Sequence, residues 1–430
     1  MAGENYIKID PDSAMDETGM LPTIKPLPEL SKAAYHGLAG EFVRALEPST
    51  EADPVAILGQ VLVAFGAAVG RGPHLLIDGS RHGVNEFLAI VGESSKARKG
   101  TSWNRTRETL FHADSEFFGE RVKSGLSSGE GLTYQVRDAS NVFDPKTGVW
   151  VTIDPGVLDK RLLIIEEEFA GALRAVERDG NTLSVVLRLS WDGRKLSPLT
   201  KNNKIEATDP HISVIGQITM EELKKRLSET ETANGFGNRF LWIFARRSKL
   251  LPFGGTFSNS GFYGEHFRET LDFASRVGEM GMTEGFKSAW EEVYPTLSEA
   301  MPGLAGSLTS RSEAHALRLT MIFALLDKSR NIDVPHLMAA IALIDFSIDS
   351  VSYIFGDATG DATGDKILET LRTGSGRLTL AEIHNLFNRH APKAKLEAAI
   401  SDLVTRNKIT LESIPGESGG RPITLIRLKE

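Results

Sequence analysis

Phe87-Leu88-Ala89-Ile90-Val91-Gly92-Glu93-Ser94-Ser95-Lys96-Ala97-Arg98-Lys99-Gly100-Thr101-Ser102-Trp103 joins an apolar run to a loop of small and cationic residues, and then to a segment of helical spacing. A short apolar run bounded by polar turns suits a buried strand. Strand, loop and helix in that order form the layout of a phosphate-binding loop. Backbone N–H groups and the helix N-terminus cradle phosphates, a Lys reaches the β and γ phosphates of ATP, and a hydroxyl holds Mg²⁺. Gly92, Lys96, Arg98, Lys99, Gly100, Thr101 and Ser102 are the candidate nucleotide-binding residues, with Thr101 or Ser102 toward the metal. The spacing departs from the usual pattern, in which a second Gly directly precedes the Lys. Here Lys99 stands seven positions after Gly92, and Gly100 follows it. The same residues also read as a solvated cationic connection.

Working outward, further strands are expected at Leu75–Asp78, Val149–Ile153, Leu162–Ile165, Ile212–Ile215 and Phe240–Phe244, with helical segments between several of them. That alternation predicts an α/β layer with a largely parallel sheet. Two helices are expected before it, from about residue 33 to 70. The strand signal ends at Leu251-Pro252-Phe253-Gly254-Gly255, and helical spacing dominates 262–355. The expected organisation is an extended N-terminal arm over 1–30, an α/β core over 31–255, a helical region over 256–355, a linker over 356–364 carrying a GDAT repeat, and a last module over 365–430. Three helices followed by two strands around Ile409 and Ile423 predict a winged helix-turn-helix there.

The run Leu162-Leu163-Ile164-Ile165-Glu166-Glu167-Glu168 ends a strand in adjacent carboxylates, where a P-loop ATPase keeps its metal-associated acid and the group that activates water. Glu166 is the candidate metal residue and Glu167 the candidate base; an acidic helix N-terminus is the plainer alternative. Gln217, at the end of an apolar strand, sits where a γ-phosphate sensor would be, or in an ordinary strand-to-helix turn. Arg239, after a glycine-rich loop, reads as an arginine finger acting across a subunit interface or as a surface ion pair. Arg318 is a weaker candidate for a second phosphate-sensing arginine.

The chain has 430 residues, a net charge of −8 and no cysteine. It is long enough for a sizeable core and for two or three domains. The lack of cysteine excludes disulfide scaffolds, thiolate metal sites and thiol nucleophiles. No signal-peptide layout and no uninterrupted apolar stretch of membrane-spanning length stand out, so a cytoplasmic protein without a membrane partner is expected. The acidic total argues against a generally basic nucleic-acid coat but not against local sites. Arg194, Lys195, Lys201 and Lys204 lie on an expected hairpin between Gly193 and Pro210 and suit phosphate contact with DNA. The last module carries 11 Lys+Arg against 8 Asp+Glu. Lys393 and Lys395 open its third helix and Arg421 sits in the wing, a second candidate DNA surface.

Taken in order, several segments resemble an uncharacterised bacterial family of RecA-like P-loop ATPases found on mobile elements and associated with bifunctional primase/polymerase modules. They are 48–54, 64–73, the Arg98-Lys99-Gly100-Thr101-Ser102-Trp103 loop, 124–132, Glu166-Glu167-Glu168-Phe169 and Gly237-Asn238-Arg239-Phe240. The resemblance covers about residues 36–355, with a looser match in the last module. It implies a RecA-like P-loop core and a homo-oligomer, with a hexamer favoured. It also implies an ATP-driven motor or loader, helicase or helicase-like, in replication of a mobile element, with a separate primase/polymerase as partner. A nucleotide-switched DNA-binding initiator or regulator without unwinding activity is the alternative.

Overall fold

The computed structural model describes residues 27–93, 99–197, 205–227, 231–232, 234–299, 301, 303–356, 359, 361–387, 391–405, 407–414 and 423–429. At its centre are five parallel strands: β1 (Phe87–Gly92), β2 (Val122–Lys123), β3 (Arg161–Glu166), β4 (His211–Thr219) and β5 (Leu241–Ala245), in the spatial order β2-β3-β4-β1-β5. Register pairs Phe87 with Val214 and Leu88 with Ile215. Because side chains alternate across a strand, each strand buries one set of residues on each face. Leu88, Ile90, Leu163, Ile165, Ile215 and Ile243 meet the helix Pro54–Val69 together with Trp103 and Leu110. Phe87, Ala89, Leu162, Ile164, Val214 and Trp242 meet Phe169–Val176, Leu183–Trp191 and the end of Val334–Phe355.

Helix Pro54–Val69 is capped by Asp53, whose side chain accepts from the Val55 N–H at 3.2 Å, and it has Pro at its first position. Residues Val55–Val69 are all buried, so the helix has no polar face to offer water. A Cβ on Gly66 would stand 2.2 Å from the Val84 carbonyl oxygen, so glycine is what lets this helix approach the chain entering β1. The freed Gly66 carbonyl accepts from buried His211 Nε2 at 2.8 Å.

Two expected strands lie elsewhere. His74–Ile77 pairs antiparallel with Ser80–Gly83, and Val149–Asp154 pairs with Ser140–Asp144; both are separate two-stranded ribbons. Val149, Trp150, Val151 and Ile153 are exposed, so apolar character here marks a ribbon rather than a core strand. The region 262–355 is helical as expected, in Ser260–Ala274, Glu284–Ser298, Gly303–Thr309, Ser312–Leu326 and Val334–Phe355, with a short parallel pair, Gly281–Met282 and Asn331–Ile332. These helices share the apolar clusters of the sheet rather than forming a core of their own. Val334–Phe355 is long and apolar enough to cross a membrane, yet 61% of its apolar window is buried inside the protein.

Of the expected arm, Leu30 packs against the core. The last module has helices Ala362–Thr373, Leu380–Leu386 and Lys393–Thr405. Its antiparallel sheet has Ile423–Leu428 between Arg377–Thr379 and Ile409–Ile414. Ile367, Leu371, Ile383, Leu396, Ile400 and Leu403 form its own core. Its first helix begins inside the expected linker. Asp361 caps it, accepting from Thr363 N–H at 3.1 Å and Gly364 N–H at 3.0 Å, so the second Asp of the GDAT repeat is structured.

Candidate active site

The helix that follows β1, Lys99–Ala113, packs on the face of Leu88 and Ile90. The helices that follow β3 and β4 pack on the opposite face, through Phe169, Leu187 and Leu223. Since β1 and β4 are neighbours, the connections leave in opposite directions at the carboxyl end of the sheet. This is a topological switch point, where α/β sheets open a crevice. A cleft of ≈ 640 Å³ lies at that end, lined by Trp103, Asn104 and Arg107 from the helix, Lys123–Gly125 at the end of β2, and Glu166–Glu168 at the end of β3.

Lys96 and Arg98 lie outside the described residues, as does the side chain of Lys99, whose backbone opens the helix. Gly92 is the last residue of β1. A Cβ on Gly100 would meet no atom within 4 Å, so packing does not demand glycine there. Thr101 is half-buried in the first turn. Ser102 is fully buried, its carbonyl accepting from the Thr106 hydroxyl at 3.0 Å. Of the two hydroxyls, Thr101 is the one near solvent.

Glu166 is buried at the end of β3. Its Oε1 accepts from the Gly125 N–H at 2.6 Å and the Leu126 N–H at 2.7 Å, which ties the strand end to the Ser124–Ser128 loop. Burial pushes its carboxyl above the usual range, and these two N–H groups oppose the rise. Among the described residues its second oxygen has no partner. Glu167 and Glu168 form an exposed turn before Phe169–Val176. Arg107 and Lys123 line the same cleft, neither in an ion pair among the described residues. Sequence reasoning missed both. The helical spacing of Trp103 and Arg107, four apart, was the available signal for Arg107; two-residue β2 gave none for Lys123.

Gln217 is buried on β4 opposite Ile90, on the face covered by Lys99–Ala113, and its Nε2 has no hydrogen-bond partner among the described residues. An orphaned buried amide between β1 and β3 is an unusual cost in a folded core. Thr219, two residues on, instead caps Met220–Arg226, accepting from the Glu222 N–H at 3.3 Å.

Arg239 is not at this site. It precedes β5, so it stands at the amino end of the parallel sheet, roughly a strand length, about 20 Å, from the cleft. It is buried, with Nη2 3.1 and 3.2 Å from the Asp192 carboxylate and Nη1 donating to the Gly235 carbonyl at 2.5 Å. A guanidinium so engaged is not presented to a neighbouring subunit; burial holds its pKa below the ordinary value. Arg318 is likewise buried at the amino end, so a phosphate-sensing role at the cleft does not fit.

The expected hairpin after Gly193 is present at its base, where Leu196 and Ala207 bridge antiparallel. Arg194 is exposed, whereas Lys195 pairs with Glu206 at 2.5 Å; Lys201 and Lys204 lie outside the described residues. Lys393 and Lys395 are exposed at the start of their helix, Lys393 3.5 Å from Glu397, and Arg421 lies outside the described residues. The chain matches no family model and no curated protein.

Proposed function

We propose that this chain is a Mg²⁺-dependent ATPase with a RecA-like P-loop core, acting on DNA as a helicase or helicase-like replication motor. The observation that carries the reading is a convergence at the switch point of one parallel sheet. The helix opened by Lys99-Gly100-Thr101-Ser102 and the Glu166–Glu168 strand end meet at one cleft. A helix N-terminus favours anions. The Thr101 hydroxyl in the first turn of that helix and the Glu166 carboxylate would supply oxygen donors, the kind Mg²⁺ takes together with substrate phosphate. Bound there, the metal would neutralise charge on the phosphoryl oxygens. Lys99 would bind the β and γ phosphates, and Glu167 would accept the proton of the attacking water. Gln217, whose buried Nε2 has no partner among the described residues, would donate to a γ-phosphate oxygen. Arg107 and Lys123 add positive charge to the cleft lining.

The three helices and three-stranded antiparallel sheet of the last module support a winged helix there, with Lys393 and Lys395 toward DNA. From the resemblance the reading takes a homo-oligomer, hexameric in the favoured form, and a separate primase/polymerase partner. One observation favours the second reading, a nucleotide-switched initiator or regulator: Arg239 is engaged inside its own chain rather than offered to a neighbour. Strand displacement that requires ATP supports the motor, and duplex binding without unwinding supports the regulator. For the shared nucleotide site, Mg²⁺ and ATP at 100 times the dissociation constant should stabilise the fold by about 2.7 kcal/mol. A melting temperature indifferent to ATP overturns both readings.

A further inference from the structure

At the amino end of the sheet, opposite the cleft of Glu166, a cavity of ≈ 410 Å³ opens between the Ser80–Gly83 strand, the end of Leu183–Trp191 and the start of Ser312–Leu326. Arg81, Arg194, Arg311 and Arg318 line it, with Asp192 as the lining carboxylate. Trp191 forms the floor. Its ring is buried, and its Nε1 donates to Glu86 Oε1 at 3.0 Å. The Arg318 guanidinium lies 3.7 Å from the indole centroid and that of Arg311 5.2 Å. These are cation–π distances, which fix the planes of both groups.

The charges in this cavity are not balanced from within. Asp192 is already taken by Arg239, and Arg311 reaches it only at 3.9 Å. Arg81 donates to the backbone carbonyls of Arg71 and Gly72, and Arg194 is exposed without a carboxylate partner among the described residues. Arg318 is 2% exposed; it donates to the Asn85 and Trp191 carbonyls, while its Nε is buried with no partner among the described residues. Glu86 lies behind the indole, where His315 Nδ1 approaches it at 3.0 Å. His82 registers the resulting field: burial, then Arg318 and Arg311, push its pKa down to about 4, so it stays neutral beside the arginines. Glu86 acts on Arg318 from behind the indole and Asp209 on Arg81, but Asp192 is the carboxylate lining the cavity itself, and holding four guanidiniums there is costly unless an anion completes the set.

We propose that this cavity binds a phosphate of the backbone of single-stranded DNA, with Arg81, Arg311 and Arg194 on the phosphate and Arg318 as the buried anchor. The proposal rests on the reading of the chain as an ATPase acting on DNA. Planar guanidinium forks suit phosphate oxygens. The Trp191 ring is covered by guanidiniums, so the site reads backbone rather than stacking a base. Exposed Arg194, next to Gly193 and just before the Leu196–Ala207 bridge, opens the cavity to solvent. The sequence alone hides it, because residues 81, 194, 311 and 318 come from three distant segments.

The test is fluorescence anisotropy of a labelled oligothymidylate with the full chain across a salt series, beside melting curves with and without Mg²⁺ and ATP. The variants are Arg81→Gln, Arg311→Gln and the pair together, with Arg268→Gln, a surface arginine paired to Glu265, as control. The double variant should bind at least about tenfold more weakly. Its log–log salt slope should fall by roughly 0.7 for each phosphate that is no longer neutralised. Stabilisation by ATP should be unchanged, and the control should bind like wild type. Unaltered affinity and slope in the folded double variant overturn the proposal. So does a wild-type chain that binds no oligothymidylate, or one in which pyrophosphate protects the arginines from modification while oligothymidylate does not. A chain that binds oligothymidylate through these arginines but ignores ATP overturns the ATPase reading and leaves the cavity's assignment standing.

Discussion

His211 makes acid a probe of the core. The side chain is 2% exposed between β4 and helix Pro54–Val69, and its Nε2 donates to the Gly66 carbonyl. Burial, with smaller contributions from Arg71, Arg318 and Arg161, pushes its pKa from 6.5 down to about 4, although the Gly66 bond opposes the fall. Between those values the unfolded chain takes up a proton that the folded chain refuses, so stability falls as pH falls. At pH 5 the unfolded imidazole is almost wholly protonated and the folded one almost wholly neutral. At about 1.4 kcal/mol per pH unit for one proton, the loss between pH 7 and pH 5 is about 2 kcal/mol from this residue. His211→Asn keeps a donor for Gly66 and removes the titration; its fixed packing cost does not depend on pH. Urea unfolding of both proteins at pH 7, 6 and 5 reads the effect. The wild-type free energy should fall by about 2 kcal/mol more than that of the variant. Parallel curves would show that the folded His211 takes up its proton as readily as the unfolded one.

Further outcomes are expected. Glu166→Ala leaves the Gly125 and Leu126 N–H groups without their acceptor and should cost about 1–3 kcal/mol in urea unfolding. Glu166→Gln keeps an acceptor oxygen and should unfold near wild type while losing the Mg²⁺ dependence of nucleotide binding. Glu167→Gln should lower ATP hydrolysis by about 10²–10⁴-fold with ATP binding retained, measured by steady-state hydrolysis and equilibrium titration. Gly216→Ala would place a Cβ 2.6 Å from the Phe169 ring, and overpacking there should cost about 1–3 kcal/mol in the same unfolding assay.

Strands β1, β3, β4 and β5 were legible because strands covered on both faces need continuous apolar runs, and Phe87–Val91 and Leu162–Ile165 are such runs. The same rule misplaced Leu75–Asp78 and Val149–Ile153, since an apolar run does not say whether its partner is the main sheet or the next turn. Strand β2 is two residues long and carries no periodicity at all. At the site, Glu166–Glu168 and the Lys99–Ser102 helix start were readable as strand and helix ends. The tie from Glu166 to Gly125 and Leu126 was not, because it joins residues forty positions apart. Of the two readings of Arg239 the ion pair is the one present, buried rather than at the surface, and its partner was hidden for a related reason. A glycine-rich loop before an arginine signals freedom in the chain, while the Asp192 carboxylate that captures the side chain comes from a distant helix end.

The central claim is that the strand–loop–helix at Lys99 and the carboxylates after β3 form one ATP-hydrolysing site. Steady-state ATP hydrolysis by wild type and Lys99→Ala, each with Mg²⁺ and with or without single-stranded DNA, tests it most directly. Wild type should show Mg²⁺-dependent hydrolysis that DNA stimulates, and Lys99→Ala should abolish it while the fold melts at an unchanged temperature. Hydrolysis by Lys99→Ala at the wild-type rate would contradict it.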